Sequence, residues 1–408
     1  METPFILLRD DPADRTLLFA RPREIVRVDR KTDFFSALEK LQAAHKAGHW
    51  LAGYMSYEAG HLFEPRIEKL AGDNGQVPYL LFGIFDAPTD AEGPFSPWGE
   101  GGAPGAGPRQ VPKQAERPMR GSSETGSNLP FLTSPKARWN FETYQSRFDV
   151  LHHHLRKGDS YQGNLTFPVD AEWHGDPLEA FHALAERQPV KYGALVNLGG
   201  PVILSRSPEL FFKVDKDGWI ETHPMKGTAP RGANPQEDEA IIEAMKADEK
   251  TQAENRMIVD LLRNDISRIT EVGTLSVPKL FEVETYPTLH QMVSHVRAKL
   301  LPETTLTDIF AALFPCGSIT GAPKMWTMEI LHRIEQTPRG AYCGSIGHIA
   351  PTGEMLFNVA IRTITLFDDG KATFNVGGGI VFDSRAEDEY AEALLKARFA
   401  VGDEEIAR

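Results

Sequence analysis

The chain has 408 residues, 41% of them apolar and 25% charged, which is enough to bury a large core and excludes global disorder. Its 44 Lys and Arg against 57 Asp and Glu leave a formal charge of −13; this excludes sequence-independent nucleic-acid binding through a basic face, and an anionic substrate needs a local cluster of cations or a metal. No run of eighteen apolar residues is present, Met1-Glu2-Thr3-Pro4 opens without a secretory pattern, and the only cysteines, Cys316 and Cys343, lack CxxC pairing, so neither a membrane helix, a leader, a disulfide scaffold nor a structural zinc site is expected, and a reducing cytoplasm is the expected setting.

In chain order, Leu17 to Ala20 reads as a strand, and Phe34, Leu38, Leu41 and His45 recur at helical spacing. Leu51 to Tyr57 and Tyr79 to Phe85 read as strands. Residues 1–86 are too few to fold alone with ease and are expected to dock on the rest. Residues 87–136 hold nine Pro and eight Gly and read as a linker or long surface loop. The main domain, 137–408, opens with a helix through Phe141, Tyr144, Phe148, Leu151 and Leu155, stopped at Gly158. Strands are expected around 165–169, 192–198, 202–204 and 210–214, and a helix over 248–264. Met355, Phe357, Val359 and Ile361 alternate as in a half-buried strand, with 342–349 and 372–381 as hairpin partners and Arg362 on the opposite face. A helix over 385–399 follows. Hairpin-linked strands with separate helices predict an α+β fold of mostly antiparallel sheets with helices outside.

Several segments could carry chemistry. Glu389, Glu392 and Lys396 share one face of the last helix, as a solvated ion pair or as an oxygen-rich site for a hard cation such as Mg²⁺. Glu254 heads an apolar helix and either favours its dipole or supplies a second ligand. Lys226 sits in a Gly- and Pro-rich turn, His223 to Gly232; it is a solvated charge or, if buried, a nucleophilic amine. The loop Phe314 to Lys324 leads small residues into a helix and is either an ordinary turn or an anion-binding N-terminus. Gly377-Gly378-Gly379 marks close approach of a ligand or another backbone. Arg362 is either solvated or a carboxylate clamp. The run His152-His153-His154 cannot converge on one ion, because adjacent helical residues diverge.

The order of these segments resembles that of the chorismate-utilising enzymes, which include anthranilate synthase component I, aminodeoxychorismate synthase component I, and the isochorismate and salicylate synthases. The resemblance covers roughly 138–400. It runs through Gly158 to Thr166, Ser207-Pro208-Glu209, the Lys226 turn, Ala253-Glu254 to Asp265, the Thr320 loop, Ile361-Arg362-Thr363, the three glycines and the terminal helix. The N-terminal part matches more loosely through Gly53 to Gly60. Within the family, anthranilate synthases carry Ala in the turn P-I-A-G-T and aminodeoxychorismate synthases carry Lys in P-I-K-G-T. Here it reads Pro224-Met225-Lys226-Gly227-Thr228, similar to the latter branch.

The resemblance implies an α+β sandwich of large antiparallel sheets with a chorismate-binding catalytic domain over 137–408. It implies Mg²⁺-dependent amination of chorismate at C4, feeding 4-aminobenzoate and folate. Lys226 is implied as the nucleophile on C2 and Glu209 as the acid on the 4-hydroxyl. Glu254 and Glu392, with Glu389 beside them, match the metal positions. Gly227, Thr228, Tyr342, Arg362, Gly377, Gly378 and Gly379 match positions that contact substrate, and Thr320 and Lys396 are further candidates. Many members open the run H-L-V-S with His; here Gln291 precedes Met292-Val293-Ser294 and His290 stands one place earlier, so neither is taken as a site residue. With no amidotransferase or lyase segment in the sequence, ammonia is expected from a separate glutamine amidotransferase subunit and aromatisation from a separate lyase. The alternatives are an anthranilate synthase, against which Lys226 speaks, and a non-catalytic chorismate- or tryptophan-binding regulatory subunit.

Overall fold

The computed structural model describes residues 3–72, 74–90, 131–286 and 289–407; most of the Gly- and Pro-rich stretch, 91–130, lies outside the described residues. Two antiparallel ten-stranded sheets dominate. The first runs in the order Gly321–Ala322, Gln162–Trp173, Lys371–Ile380, Thr363–Leu366, Val202–Ser207, Tyr192–Asn197, Phe5–Asp10, Arg15–Ala20, Thr89–Asp90, with Leu132–Ala137 also paired to Gln162–Trp173. The second runs Met225–Pro230, Leu289–Lys299, Trp219–Thr222, Leu210–Val214, Met355–Asn358, Ser345–Ile349, Trp50–Met55, Leu80–Phe85, Glu24–Val28, with Ser276–Thr285 also paired to Leu289–Lys299.

Apolar side chains form three layers. Between the sheets lie Ile6, Phe19, Tyr54, Leu81, Val196, Ile203 and Ile346. Outside the first sheet, Leu165, Phe167, Val169 and Phe374 meet Tyr144 and Phe148 of helix Phe141–Arg156 and Tyr390 of helix Ala386–Lys396. Outside the second, Phe82 and Phe212 meet helix Phe34–Lys46 and helix Glu249–Ser267 through Leu38, Ile258 and Leu262. Strand Leu80–Phe85 is buried throughout because both its faces are covered. The fold is thus an α+β sandwich with helices on the outer faces.

The first 86 residues join this core by strand pairing. Phe5–Asp10 pairs with Tyr192–Asn197, and Trp50–Met55 with Ser345–Ile349. Both described ends of the Gly- and Pro-rich stretch are strands, Thr89–Asp90 and Leu132–Ala137. Helices Phe141–Arg156 and Glu249–Ser267 each have a polar start: Asn140 accepts from Thr143 N–H, and Asp248 accepts from Thr251 N–H, both at 2.9 Å. Among the described residues, no helix is long and apolar enough to cross a membrane.

Candidate active site

Two of the links by which the chain passes from one sheet to the other lie side by side. Pro208 and Glu209 join Val202–Ser207 to Leu210–Val214; residues 359–362 join Met355–Asn358 to Thr363–Leu366. The Val359 N–H donates to Glu209 O at 3.1 Å, and the Arg206 N–H to Arg362 O at 2.9 Å. The Ser207 hydroxyl donates to Val359 O at 2.6 Å. The alternation from Met355 therefore does not continue as one strand to Ile361, and Arg362 is not on the opposite face of that strand. It sits at the bend with φ of 52°, a left-handed conformation uncommon for a side-chain-bearing residue.

These links set Glu209 and Arg362 within electrostatic reach of each other. Glu209 is 6% exposed. Burial pushes its carboxyl up to about 7, against a Ser318 hydrogen bond and the charges of Lys226 and Arg362. Among the described residues, its Oε1 has no hydrogen-bond partner. Burial also lowers the Arg362 guanidinium from its ordinary value, opposed by Glu209. Among the described residues, no hydrogen bond or ion pair occupies that guanidinium.

Lys226 stands on Met225–Pro230, at one end of the second sheet's strand order. This is a bulged strand rather than the tight turn expected from its Gly and Pro residues. Met225 faces Val293 and Thr228 faces Gln291, so three steps on one strand oppose two on the other. Gly227 makes the bulge with φ of 80°, and a Cβ there would stand 2.4 Å from Thr251 Cγ2, so only glycine fits. Gln291 fastens it: its Nε2 donates to Gly227 O at 2.7 Å and its Oε1 accepts from the Thr228 hydroxyl at 2.9 Å. Bulges re-aim side chains, and Lys226 is turned into the fold. Burial lowers its ammonium from the ordinary value; Glu254, Glu209 and Glu392 oppose that shift and Lys396 adds to it.

The three glycines lie on one unbroken strand, Lys371–Ile380, with Gly378 opposite Leu165 and Gly379 opposite Asn164. Consecutive strand residues face opposite sides. A Cβ on Gly378 would stand 3.3 Å from Glu389 Oε2 and 3.4 Å from Lys396 Nζ. One on Gly379 would stand 3.1 Å from Gln162 Nε2 and 3.2 Å from Lys226 Nζ. The glycines therefore let charged groups of the terminal helix approach one face and the Lys226 amine the other.

On that helix, burial raises the Glu389 carboxyl, while the Ser384 hydroxyl donates to its Oε1 at 2.7 Å. Glu392 and Lys396 pair at 2.8 Å, both well exposed, and Lys396 Nζ also donates to Gly377 O at 3.0 Å. Glu254 is half-buried on Glu249–Ser267. Among the described residues, no three His, Cys, Asp or Glu side chains are gathered closely enough to hold an ion unaided.

Other candidates stand differently. Thr228 is exposed and its hydroxyl is taken by Gln291. Thr320 is fully buried, but its hydroxyl donates to Cys316 O and Gly317 O of its own loop. Tyr342 is buried next to the second link, where the Cys343 N–H donates to Ala360 O; burial raises its hydroxyl well above the usual range. His290 is pinned between Thr285 and Asp238. The sequence reading missed three residues here: Ser318 on Glu209, Gln291 under the lysine bulge, and Gln162 beside Lys226. Only Gln291 left a trace, as the polar residue standing where a His is usual.

Comparison with known proteins agrees with this geometry. The chain is 42% identical over 255 residues to aminodeoxychorismate synthase component 1 of Escherichia coli K12, covering 62% of this chain and 56% of that one. It is 41% identical over 261 residues to the aminodeoxychorismate synthase of Streptomyces pristinaespiralis, covering 64% of this chain and 36% of that one. The chain thus spans only about a third to a half of these relatives. The crystal structure of anthranilate synthase component I from Streptococcus pneumoniae superposes with a TM-score of 0.71 at 25% identity, covering 98% of this chain and 90% of that one. The family model for chorismate binding enzymes matches from residue 3 to residue 402, across both sheets and both links; the chain belongs to that family.

Proposed function

We propose that this chain aminates chorismate at C4 with ammonia, giving 4-amino-4-deoxychorismate. The observation that carries the reading is the Lys226 amine, turned inward by a glycine bulge and electrostatically coupled to Glu209. The branch of the family that such a lysine marks agrees with the names of the relatives at 41–42% identity.

The electrostatics suit a covalent route. Burial lowers the Lys226 ammonium and raises the Glu209 carboxyl to about 7. Both shifts favour the neutral amine and the protonated acid, the two forms this reaction needs. Lys226 Nζ attacks C2 of the ring, the double bonds shift, and the C4–O bond breaks. Glu209 gives its proton to the departing oxygen, which leaves as water. Ammonia then bonds to C4, the double bonds shift back, and the C2–N bond to Lys226 breaks. Occupying C2 directs nitrogen to C4. Arg362, whose guanidinium has no hydrogen-bond or ion-pair partner among the described residues, is a cation available to a substrate carboxylate.

Mg²⁺ suits the carboxylates present. Glu254 and Glu392 approach Lys226 from two helices, with Glu389 within electrostatic reach of Glu392. A hard cation takes one or two such ligands and completes its shell with water and substrate. When bound, it would offset negative charge on the substrate. The ammonia source we assign is a separate glutamine amidotransferase subunit, and a separate lyase would yield 4-aminobenzoate for folate.

The test is incubation with chorismate, Mg²⁺, ammonium and an aminodeoxychorismate lyase. The reading expects 4-aminobenzoate. Anthranilate as the product, or no amination where a control enzyme works, defeats it.

A further inference from the structure

The strand that carries Lys226 is entered past a pair of stacked imidazoles. Thr222 stands opposite Val296 and Met225 opposite Val293, which leaves His223 beside His295 just ahead of the bulge. The ring centroids are 3.8 Å apart and the planes 18° from parallel, so the rings are in contact. A carboxylate flanks each: His223 Nε2 lies 3.4 Å from Glu221 Oε2, and His295 Nε2 lies 3.7 Å from Glu284 Oε1. Each carboxylate has a cation of its own. Lys213 Nζ is 2.6 Å from Glu221 Oε2, and Lys191 Nζ is 3.3 Å from Glu284 Oε2. Lys191 stands just ahead of Tyr192–Asn197, so the row runs across the second sheet and reaches the first. The other charged and titratable neighbours are engaged. Arg297 pairs with Asp215 and Glu221 and lies over Trp219; Lys279, opposite His295, pairs with Glu282. The Tyr286 hydroxyl donates to Glu284 at 2.5 Å, and burial keeps the Tyr192 hydroxyl neutral.

This row accepts one proton more easily than two. A single imidazolium is held by its carboxylate, whereas two imidazolium ions at ring contact repel each other. Burial lowers the His223 imidazolium, Glu221 opposes that, and the His295 ring and Lys213 add to it. His295 Nε2 is buried with no hydrogen-bond partner among the described residues; a second proton there would draw the ring toward Glu284 and away from His223.

We propose that the His223–His295 stack is a pH-sensitive clamp on the strand that bears Lys226: it stays closed with at most one proton and parts when both rings are protonated, so that Met225–Pro230 loosens and the amine leaves its buried position. The open form binds one proton more, so acid favours it, over the range in which histidine ordinarily titrates. The inference concerns strand pairing and does not depend on which ring compound Lys226 meets.

Two measurements on the full chain without substrate test it. Hydrogen exchange of the peptide spanning 219–230 is compared at about pH 7.5 and about pH 5.5, corrected for the intrinsic rate. For wild type, protection should fall about tenfold or more at the acid pH and return when the pH is raised. His295→Phe keeps a ring in the stack but cannot take the second proton, and its protection should change less than about twofold. Equal protection of wild type at both pH values overturns the proposal, as does a His295→Phe variant that opens as wild type does. The second measurement follows the two imidazoles by NMR of histidine-labelled wild type, assigned through their ring-to-ring contact and through His223→Phe or His295→Phe. Two steps about one pH unit or more apart are expected; rings that titrate together as independent groups overturn the clamp, whether or not a ring variant folds. Turnover lost in acid while the peptide stays protected assigns that loss to Lys226 itself and also overturns it.

Discussion

Two buried charged clusters lie close together on this fold and differ in one respect. Around Arg339, the guanidinium and the Glu335 and Glu58 carboxyl groups all have protein partners, and only the neutral Tyr57 hydroxyl, among the groups named here, has none among the described residues. Its guanidinium donates to Glu335 at 2.7 and 2.8 Å and to Asn164 O and Ile319 O, and it stacks 4.3 Å over Tyr57. Glu335 also accepts from Thr166, and Glu58 accepts the backbone N–H groups of Arg339 and Gly340. Around Lys226, among the described residues, the Glu209 Oε1, both amide atoms of Gln162 and the Arg362 guanidinium have no hydrogen-bond or ion-pair partner. The clusters even share a strand, with Thr166 and Asn164 serving the first and Gln162 the second. A closed network holds a fold together; an open one is finished by what binds.

The comparison breaks most sharply at Lys226. Lys226→Ala should lower amination on the order of 10⁴-fold, as loss of a nucleophile does. Any residual product should shift toward the 2-amino isomer, read by chromatography with fluorescence detection. An unchanged rate and isomer would remove covalent catalysis. Next, Glu209→Gln should slow turnover by about 10²- to 10⁴-fold while stabilising the protein at alkaline pH. The sign follows from proton uptake. The folded state keeps the Glu209 proton up to about 7 while the unfolded chain loses it at the ordinary glutamate value, so wild-type stability falls as pH rises between them. Denaturant titrations at low and high pH should show the variant's advantage only at the higher pH.

The closed cluster predicts the reverse pattern. Arg339→Met strands Glu335 and two carbonyls and should cost about 3–5 kcal/mol of stability, measured by urea unfolding, whereas Gln162→Met should cost none. A mild loss for Arg339→Met would show that the two clusters do not differ as described. The smallest effect is expected at Thr228, whose hydroxyl meets Gln291 on the exposed side. Thr228→Val should change kcat/KM by less than about threefold, since a lone neutral hydrogen bond on the surface is worth little. A large loss would place that hydroxyl on the substrate after all.

Much of the fold was legible because burial leaves periods in the sequence. Tyr144, Phe148, Leu151 and Leu155 mark a helix, and the terminal and Glu254 helices fell close to their expected bounds. Sheet changes leave no such mark. Val359 and Ala360 are fully buried within the link, so the apolar rhythm from Met355 runs through a bend that the chain makes between sheets. The lysine bulge was hidden for a related reason: Gly227 beside prolines reads as a turn, and only the pairing with Leu289–Lys299 shows a strand. At the site, residue types carried Lys226, Glu209 and Arg362 through family resemblance. Gln162 and Ser318 did not stand out, because what distinguishes them is a missing or a close partner, and partners are set by the fold.

The most direct measurement is the mass of the protein quenched in acid after mixing with chorismate and Mg²⁺ in the absence of ammonia. The account predicts an added mass of chorismate less one water, on the peptide that contains Lys226, absent in Lys226→Ala and discharged when ammonium is supplied before the quench. Wild-type protein that aminates chorismate yet carries no such adduct at any quench time would contradict it.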